Sequence, residues 1–498
     1  MTSNANAKEL PSSWMETTFG EIVEYVTSGS RDWSKYYSDK GALFIRTQDI
    51  NTNRLRLDDV ARVELPAKVE GKRTRVFKGD ILITITGANV GKIALVENDI
   101  EEAYVSQSVA LVRLKDKRVG KFLHYQLTTK FNGDKTHLEG MAYGLGRPVL
   151  NLDNIRNVPI RIAPLDQQIR IVAEIEKQFS RLDEAVANLK RVKANLKRYK
   201  AAVLKAAVEG RLVETEADLA RREGRSFETG AQLLQRILET RRSQWKGKGK
   251  YKEPAAPDTT DLPELPEGWV YASIDQLLPP VRNAMKTGPF GSLLKKHEHR
   301  DEGVAVLGIE NIEAMRFVRG SKIHVSLQKA EELAGYAVMA GDVLISRSGT
   351  VGEVCVVPRD IGEVRISTNL MKVSLAKNGM LPEFFVLLFN GSPFVLKQVS
   401  DLCKGSTRDF LNQEILRQLY FTCPPLSEQA RIVAEIDRRF SLVREIKAQV
   451  YVTLKRGERL RQSILTAAFS GTLNCLGSNS LDSAVRRRSS GSVASVNM

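Results

Sequence analysis

Cysteine is what this chain most conspicuously lacks: four in 498 residues (Cys355, Cys403, Cys423, Cys475), all in the second half, with no pair at metal-ligand spacing. That excludes a disulfide scaffold and a thiolate zinc site, and it fits a reducing cytoplasm. Histidine is also scarce. Of His124, His137, His297, His299 and His324, only His297 and His299 are close in sequence, and they lack the i, i+4 spacing of a helical zinc site. No apolar run approaches the roughly 20 residues that span a bilayer, and MTSNANAKEL at the start has no apolar signal core. A soluble, cytoplasmic chain is expected. There is no glycine-rich methyl-donor fingerprint and no Asn-Pro-Pro-aromatic tetrad, so nothing marks a catalytic centre, a metal or a cofactor in this chain. Acidic residues are in deficit, 59 against 75 lysines and arginines, giving a net charge of +16 and a pI near 9.5. Such an excess attracts polyanions and makes nucleic acid the leading partner class.

What is present is written twice. PLDQQIRIVAEIEKQFS (164–180) returns as PLSEQARIVAEIDRRFS (425–441), and the match runs without a gap to LKAAVEGRL (204–212) against LTAAFSGTL (465–473). Upstream, KGDILI (78–83) meets AGDVLI (340–345), YVSQSV (104–109) meets RISTNL (365–370), and GRPVLN (146–151) meets TRDFLN (407–412). Each half is far longer than a solenoid unit, so a whole domain with its trailing segment has been duplicated.

The stretch ITITGANVGKIALV (83–96) invites comparison with a phosphate-binding loop. The duplication answers it. The second copy reads LISRSGTVGEVCVV, with Gly352-Glu353 in place of Gly91-Lys92, and a glutamate repels phosphate. In the first copy Ile93 stands where such a loop needs Ser or Thr for magnesium. Both copies read instead as a strand, a glycine turn and a strand, with a loop tip exposed to ligand. Asp80 and Asp342 each follow a glycine before a strand and read as turn formers.

Short β-branched runs broken by Gly, Asn and Pro fill the first part of each half, whereas residues 167–209 carry apolar side chains at helical spacing. The stripe comprises Val172, Ile175, Phe179, Leu182, Val186, Leu189, Leu196 and Val203; its copy shows Val433, Ile436, Phe440, Val443, Val450 and Leu454. A long helix with one apolar stripe does not bury it alone. The simplest partner is its duplicate. The expected fold is therefore α+β: two β-rich domains separated by a pair of long antiparallel helices, a coiled-coil spacer in a pseudo-twofold tandem duplication. The expected segments are a domain over 1–163, a helix over 164–212, a helix and basic, proline-rich linker over 213–262, a second domain over 263–424, a second helix over 425–473 and a disordered tail over 474–498.

Both domains open with LP and W (LPSSW, LPEGW), both end in a GLGRPVLN or KGSTRDFLN stretch, and both lead into the doubled PL-x-x-Q-x-x-IVAEI helix start. In this the chain resembles the specificity subunit of type I restriction-modification systems, over about residues 10–473. The resemblance implies two target-recognition domains, each reading half of a split double-stranded DNA sequence. It implies helices that set the spacing and dock two methyltransferase subunits, with restriction and translocase subunits in the full complex. S-adenosylmethionine, ATP and magnesium then belong to those partners and none to this chain.

Phosphates are met by Lys and Arg, and base edges by Arg, Lys, Asn, Gln, Ser and Thr on loops. In the first domain the candidates are Arg46, Gln48, Thr86, Asn89, Lys92, Gln107, Arg147 and Asn151. In the second they are Lys295, Lys296, Arg347, Ser348, Thr350, Asn369, Lys404, Arg408 and Asn412. Arg147/Arg408 and Asn151/Asn412 recur, so stabilising the domain-to-helix junction is their alternative role. The competing function is a coiled-coil scaffold whose end domains bind proteins; a stand-alone methyltransferase or nuclease is a third reading.

Overall fold

The computed structural model describes residues 11–473 except 30, 52, 67–70, 133–134, 145, 247–248, 282, 291–292, 314, 349–350 and 404–410. The tail over 474–498, with Cys475, lies outside the described residues. The chain is α+β and falls into two compact units, Met1–Lys190 with Val450–Met498, and Arg191–Gln449. The division runs through both long helices rather than at their ends, so each unit holds one β-rich domain and part of each helix.

In the first unit the strand Ile81–Thr84 lies inside an antiparallel sheet with Val109–Leu114 on one side and Ile93–Leu95 on the other; Val23–Ser28 completes the four. Strand geometry sends successive side chains to opposite faces. Ile81 and Ile83 join Phe122 and Leu123 of the helix Gly120–Leu127, while Leu82 joins Leu43, Ile45 and Val105 of a second four-stranded sheet. Both faces are covered. This is why the run is apolar throughout rather than alternating, each such side chain contributing roughly 1.5–3 kcal/mol on burial. Asp80, with no exposure, accepts from the Phe77 N–H at 2.8 Å and from Arg113 Nε and Nη2 at 2.9 and 2.7 Å.

The second unit repeats the plan. Val343–Ser346 lies between Leu370–Val373 and Val354–Val356, with Met285–Thr287 at the far side of Leu370–Val373. Val343 and Ile345 pack with Phe384, Phe385 and Phe389 of the helix Pro382–Gly391, and Leu344 faces Leu307 and Ile366. Asp342 accepts from the Met339 N–H at 2.8 Å, so both aspartates are the turn formers expected. This unit adds the helices Glu216–Glu223 and Gly230–Ser243. The Glu216 N–H donates to Glu428 Oε2 at 2.9 Å, and Trp269 Nε1 donates to Glu428 Oε1 at 3.0 Å. In the first unit Trp14 Nε1 makes the matching bond, to Gln167 Oε1 at 3.2 Å.

The long helices are Leu165–Val208 and Leu426–Phe469, 44 residues each, or about 66 Å at 1.5 Å per residue. Every stripe residue named above is buried or half-buried. Within the first unit Arg461 pairs with Asp183 and lies 4.0 Å from the Phe179 ring centroid, while Gly457 faces Leu182 and Val186. Ascending numbers on one helix thus meet descending numbers on the other, the antiparallel arrangement expected. In the second unit Lys200, which interrupts the apolar stripe, lies 4.6 Å from the Phe440 ring centroid. Gly457 stands where the first helix has Leu196, and a Cβ there would meet Val186 and Leu182 at 3.5 and 3.6 Å, ordinary contact distances.

Candidate nucleic-acid interface

Backbone hydrogen bonds gather the connecting loops of each domain to one edge. In the first unit Ser106 N donates to Ile45 O at 2.9 Å, Ile85 N to Ser108 O at 2.9 Å, and Leu150 N to Ile85 O at 2.9 Å. Gly87 N reaches Pro148 O at 3.0 Å, and Asn89 Nδ2 reaches Thr47 O at 3.3 Å. The second unit repeats the frame: Ser367 N to Leu307 O at 2.8 Å, Arg347 N to Asn369 O at 2.9 Å, Leu411 N to Arg347 O at 3.1 Å. Gly29 and Gly288 fill equivalent places. A Cβ at Gly29 would fall 2.0 Å from Val105 O and one at Gly288 1.9 Å from Ser367 O, so only glycine permits that approach.

On this frame the sequence candidates separate into exposed and committed groups. Gln48, Gln107 and Arg147 are exposed in the first unit, and Lys295, Lys296 and Asn369 in the second. Thr86 is half-buried and bridges Val149 in the hairpin that carries Arg147. Ser348 is half-buried, its Oγ donating to Asn369 Oδ1 at 3.1 Å. Thr350, Lys404 and Arg408 lie outside the described residues.

Several candidates are occupied by the fold. Asn151 caps the helix Leu152–Arg156, its Oδ1 accepting from Asn154 N at 2.6 Å, and Asn412 caps Gln413–Arg417 through Ile415 N at 2.8 Å. Their recurrence therefore reflects helix capping at the junction, the alternative role raised above. Arg46 lies 3.5 Å from the buried Asp49 carboxylate, and Asn89 is tied to Thr47. Lys92 Nζ donates to Glu139 Oε1 at 2.7 Å. Burial opposes ionisation of Glu139, but the hydrogen bonds from Lys92 and the Thr136 N–H outweigh it and hold its carboxyl below the usual range. Lys92 is thus engaged with a carboxylate, and the loop offers no phosphate cradle.

Arg347 needs a correction. Only 2% exposed, it donates from Nε to Leu411 O at 3.2 Å and from Nη1 to Thr368 O at 2.9 Å. It occupies the place of Ile85 in the first unit, and burial draws its pKa below that of a free guanidinium. A side chain enclosed in this way braces the loops and does not reach a base. Two exposed aromatics on the same edges escaped the sequence reading, Tyr143, four residues before Arg147, and Phe290, five residues before Lys295. Their flanking glycines, in YGLG and TGPFG, were the available signal.

Burial pushes the thiols of Cys355 and Cys423 up to about 12, which keeps them protonated at neutral pH. Among the described residues no group of three His, Cys, Asp or Glu side chains is placed to hold a metal, and no helix is long and apolar enough to cross a membrane.

Two domains of one plan, each presenting hydrogen-bonded loops that differ in side chain, define a duplicated recognition protein. Residues 11–198 and 290–456 match the type I restriction modification DNA specificity domain, and the chain belongs to that family. It is 22% identical over 495 residues to the Escherichia coli K12 type I restriction enzyme EcoKI specificity subunit, covering 94% of this chain and 91% of that one. With the Escherichia coli EcoBI specificity subunit it shares 27% over 210 residues, 41% of this chain and 43% of the other, so that alignment spans less than half of the relative. Two solved structures share the fold. One, described as the basis of complex assembly and conformational transition of the type I R-M system, aligns with TM-score 0.60 at 19% identity over 93% of this chain and all of that one. The other, the HsdS subunit from Thermoanaerobacter tengcongensis, aligns with TM-score 0.54 at 18% identity over 95% and 100%.

Proposed function

We propose that this chain is the DNA-recognition subunit of a type I restriction-modification complex, each domain reading one half of a bipartite duplex target. The observation that carries the reading is the pair of loop edges: one backbone frame, repeated, with different exposed side chains on each. A repeated frame positions two domains alike against DNA, while unlike side chains allow unlike half-sites. Gln48, Gln107, Ser348 and Asn369 serve as base readers, and Arg147, Lys295 and Lys296 as phosphate contacts. The long helices act as the ruler between half-sites.

The chain itself is non-catalytic in this reading. Methyl transfer, ATP hydrolysis and cleavage reside in two methyltransferase subunits and in restriction subunits, which bring S-adenosylmethionine, ATP and magnesium. Off the paired stripe, the helices expose Ile169, Leu442, Ile446, Tyr451, Val452 and Leu460, apolar side chains suited to a partner's helices.

The test is equilibrium binding to duplexes in which two half-sites, found by mapping methylated adenines with and without the gene, are held at varied separation. Affinity is expected to fall with rising salt and to collapse when the gap changes by one base pair. Equal affinity for all duplexes would favour a protein scaffold instead.

A further inference from the structure

Phe290 is 61% exposed, more than any other aromatic side chain among the described residues. It stands in TGPF, and the chain leading into it is fixed. Gly288 N donates to Leu370 O at 2.9 Å, Thr368 Oγ1 donates to Pro289 O at 2.7 Å, and Leu293 N donates to Phe290 O at 2.8 Å. The buried Arg347 guanidinium lies 5.6 Å from the ring centroid, itself held by the carbonyls of Thr368 and Leu411. An anchored backbone and a braced cation on the protein side hold the ring toward solvent, on the loop edge that carries Ser348 and Asn369. The exposed ammonium groups of Lys295 and Lys296 follow a few residues on. In a duplex the faces of the bases are covered by their neighbours, so an exposed apolar ring on such an edge meets them as a wedge at a deformable base step. The first unit has no such ring at this place: after the equivalent Gly29 come Ser30, Arg31 and Asp32.

We propose that Phe290 wedges into a deformable base step of one half-site and, because the cost of opening that step depends on its sequence, is a specificity-determining side chain of the second unit. This rests on the reading of the chain as a DNA-recognition subunit. The experiment is equilibrium binding of the full chain, with its methyltransferase subunits, to a duplex selected from a randomised pool. Phe290→Ala is expected to bind that duplex about tenfold or more weakly. It is also expected to lose base preference in one half-site only and to keep the parent's salt slope, whereas Lys295→Ala with Lys296→Ala flattens the slope. Phe290→Trp restores affinity and preference. Both Phe290 variants are expected to melt with the parent, since the ring is exposed. A Phe290→Ala chain with the parent's affinity and preference overturns the proposal. So does one that loses the methyltransferase subunits while keeping its DNA affinity, which would make the ring a protein contact. If the parent itself prefers no duplex, the recognition reading fails and this proposal falls with it.

Discussion

The two loop edges share a backbone and differ in what braces it. In the first unit the turn after Ile81–Thr84 has the buried Ile85 at its root, and the ion pair of Lys92 with Glu139 closes its far side. In the second unit the same root position is Arg347, spanning to the carbonyls of Thr368 and Leu411, and Glu353 stands where Lys92 was. One edge is thus closed by apolar packing with a peripheral ion pair, the other by a buried cation among carbonyl groups. Duplication preserves the hydrogen-bond frame because backbone groups carry it; side chains diverge because each need satisfy only its own neighbours.

Exchanging the two braces breaks that comparison most severely. Ile85→Arg puts a guanidinium into the apolar cluster of Val90, Leu138 and Leu150 that surrounds the isoleucine, and is expected to cost about 3–5 kcal/mol in chemical denaturation. The reciprocal Arg347→Ile leaves two buried carbonyls without their donor and is expected to cost about 1–3 kcal/mol. If the two exchanges proved equally harmless, the braces would be interchangeable and the distinction empty.

The exposed glutamines of the first unit sharpen the comparison without touching stability. Gln48→Ala with Gln107→Ala should relax base preference in one half-site by about 1–3 kcal/mol while melting with the parent. A loss of preference in both half-sites would mean that the units do not read separately.

Smaller effects come from the periphery. The folded pKa of Glu139 is lowered, so its contribution is present above the usual carboxylate value and is lost as pH falls through the folded one. Lys92 is 37% exposed, which limits the pair to about 1 kcal/mol or less. Lys92→Met should therefore lower the melting temperature slightly at neutral pH and converge with the parent in acid. Gly457→Ala is expected to stabilise the chain by roughly 0.5–1 kcal/mol, because the position is helical and the added Cβ meets only ordinary contacts.

Much of this architecture was legible in the linear chain. The helix pairing follows from local periodicity, and the duplication from two copies that align residue by residue. A 3.6-residue stripe demands an apolar partner. The aspartate turns and the exclusion of a phosphate loop were readable because two copies could be compared residue by residue. Tertiary structure alone decided which loop side chains are free. Arg347 and Arg147 look alike in sequence, yet one is enclosed by carbonyls brought from residues 368 and 411 and the other faces solvent. Asn151 and Gln107 likewise differ only in whether a helix begins beside them. Hydrogen-bond commitments of that kind are made with partners distant in the chain, and no local pattern records them.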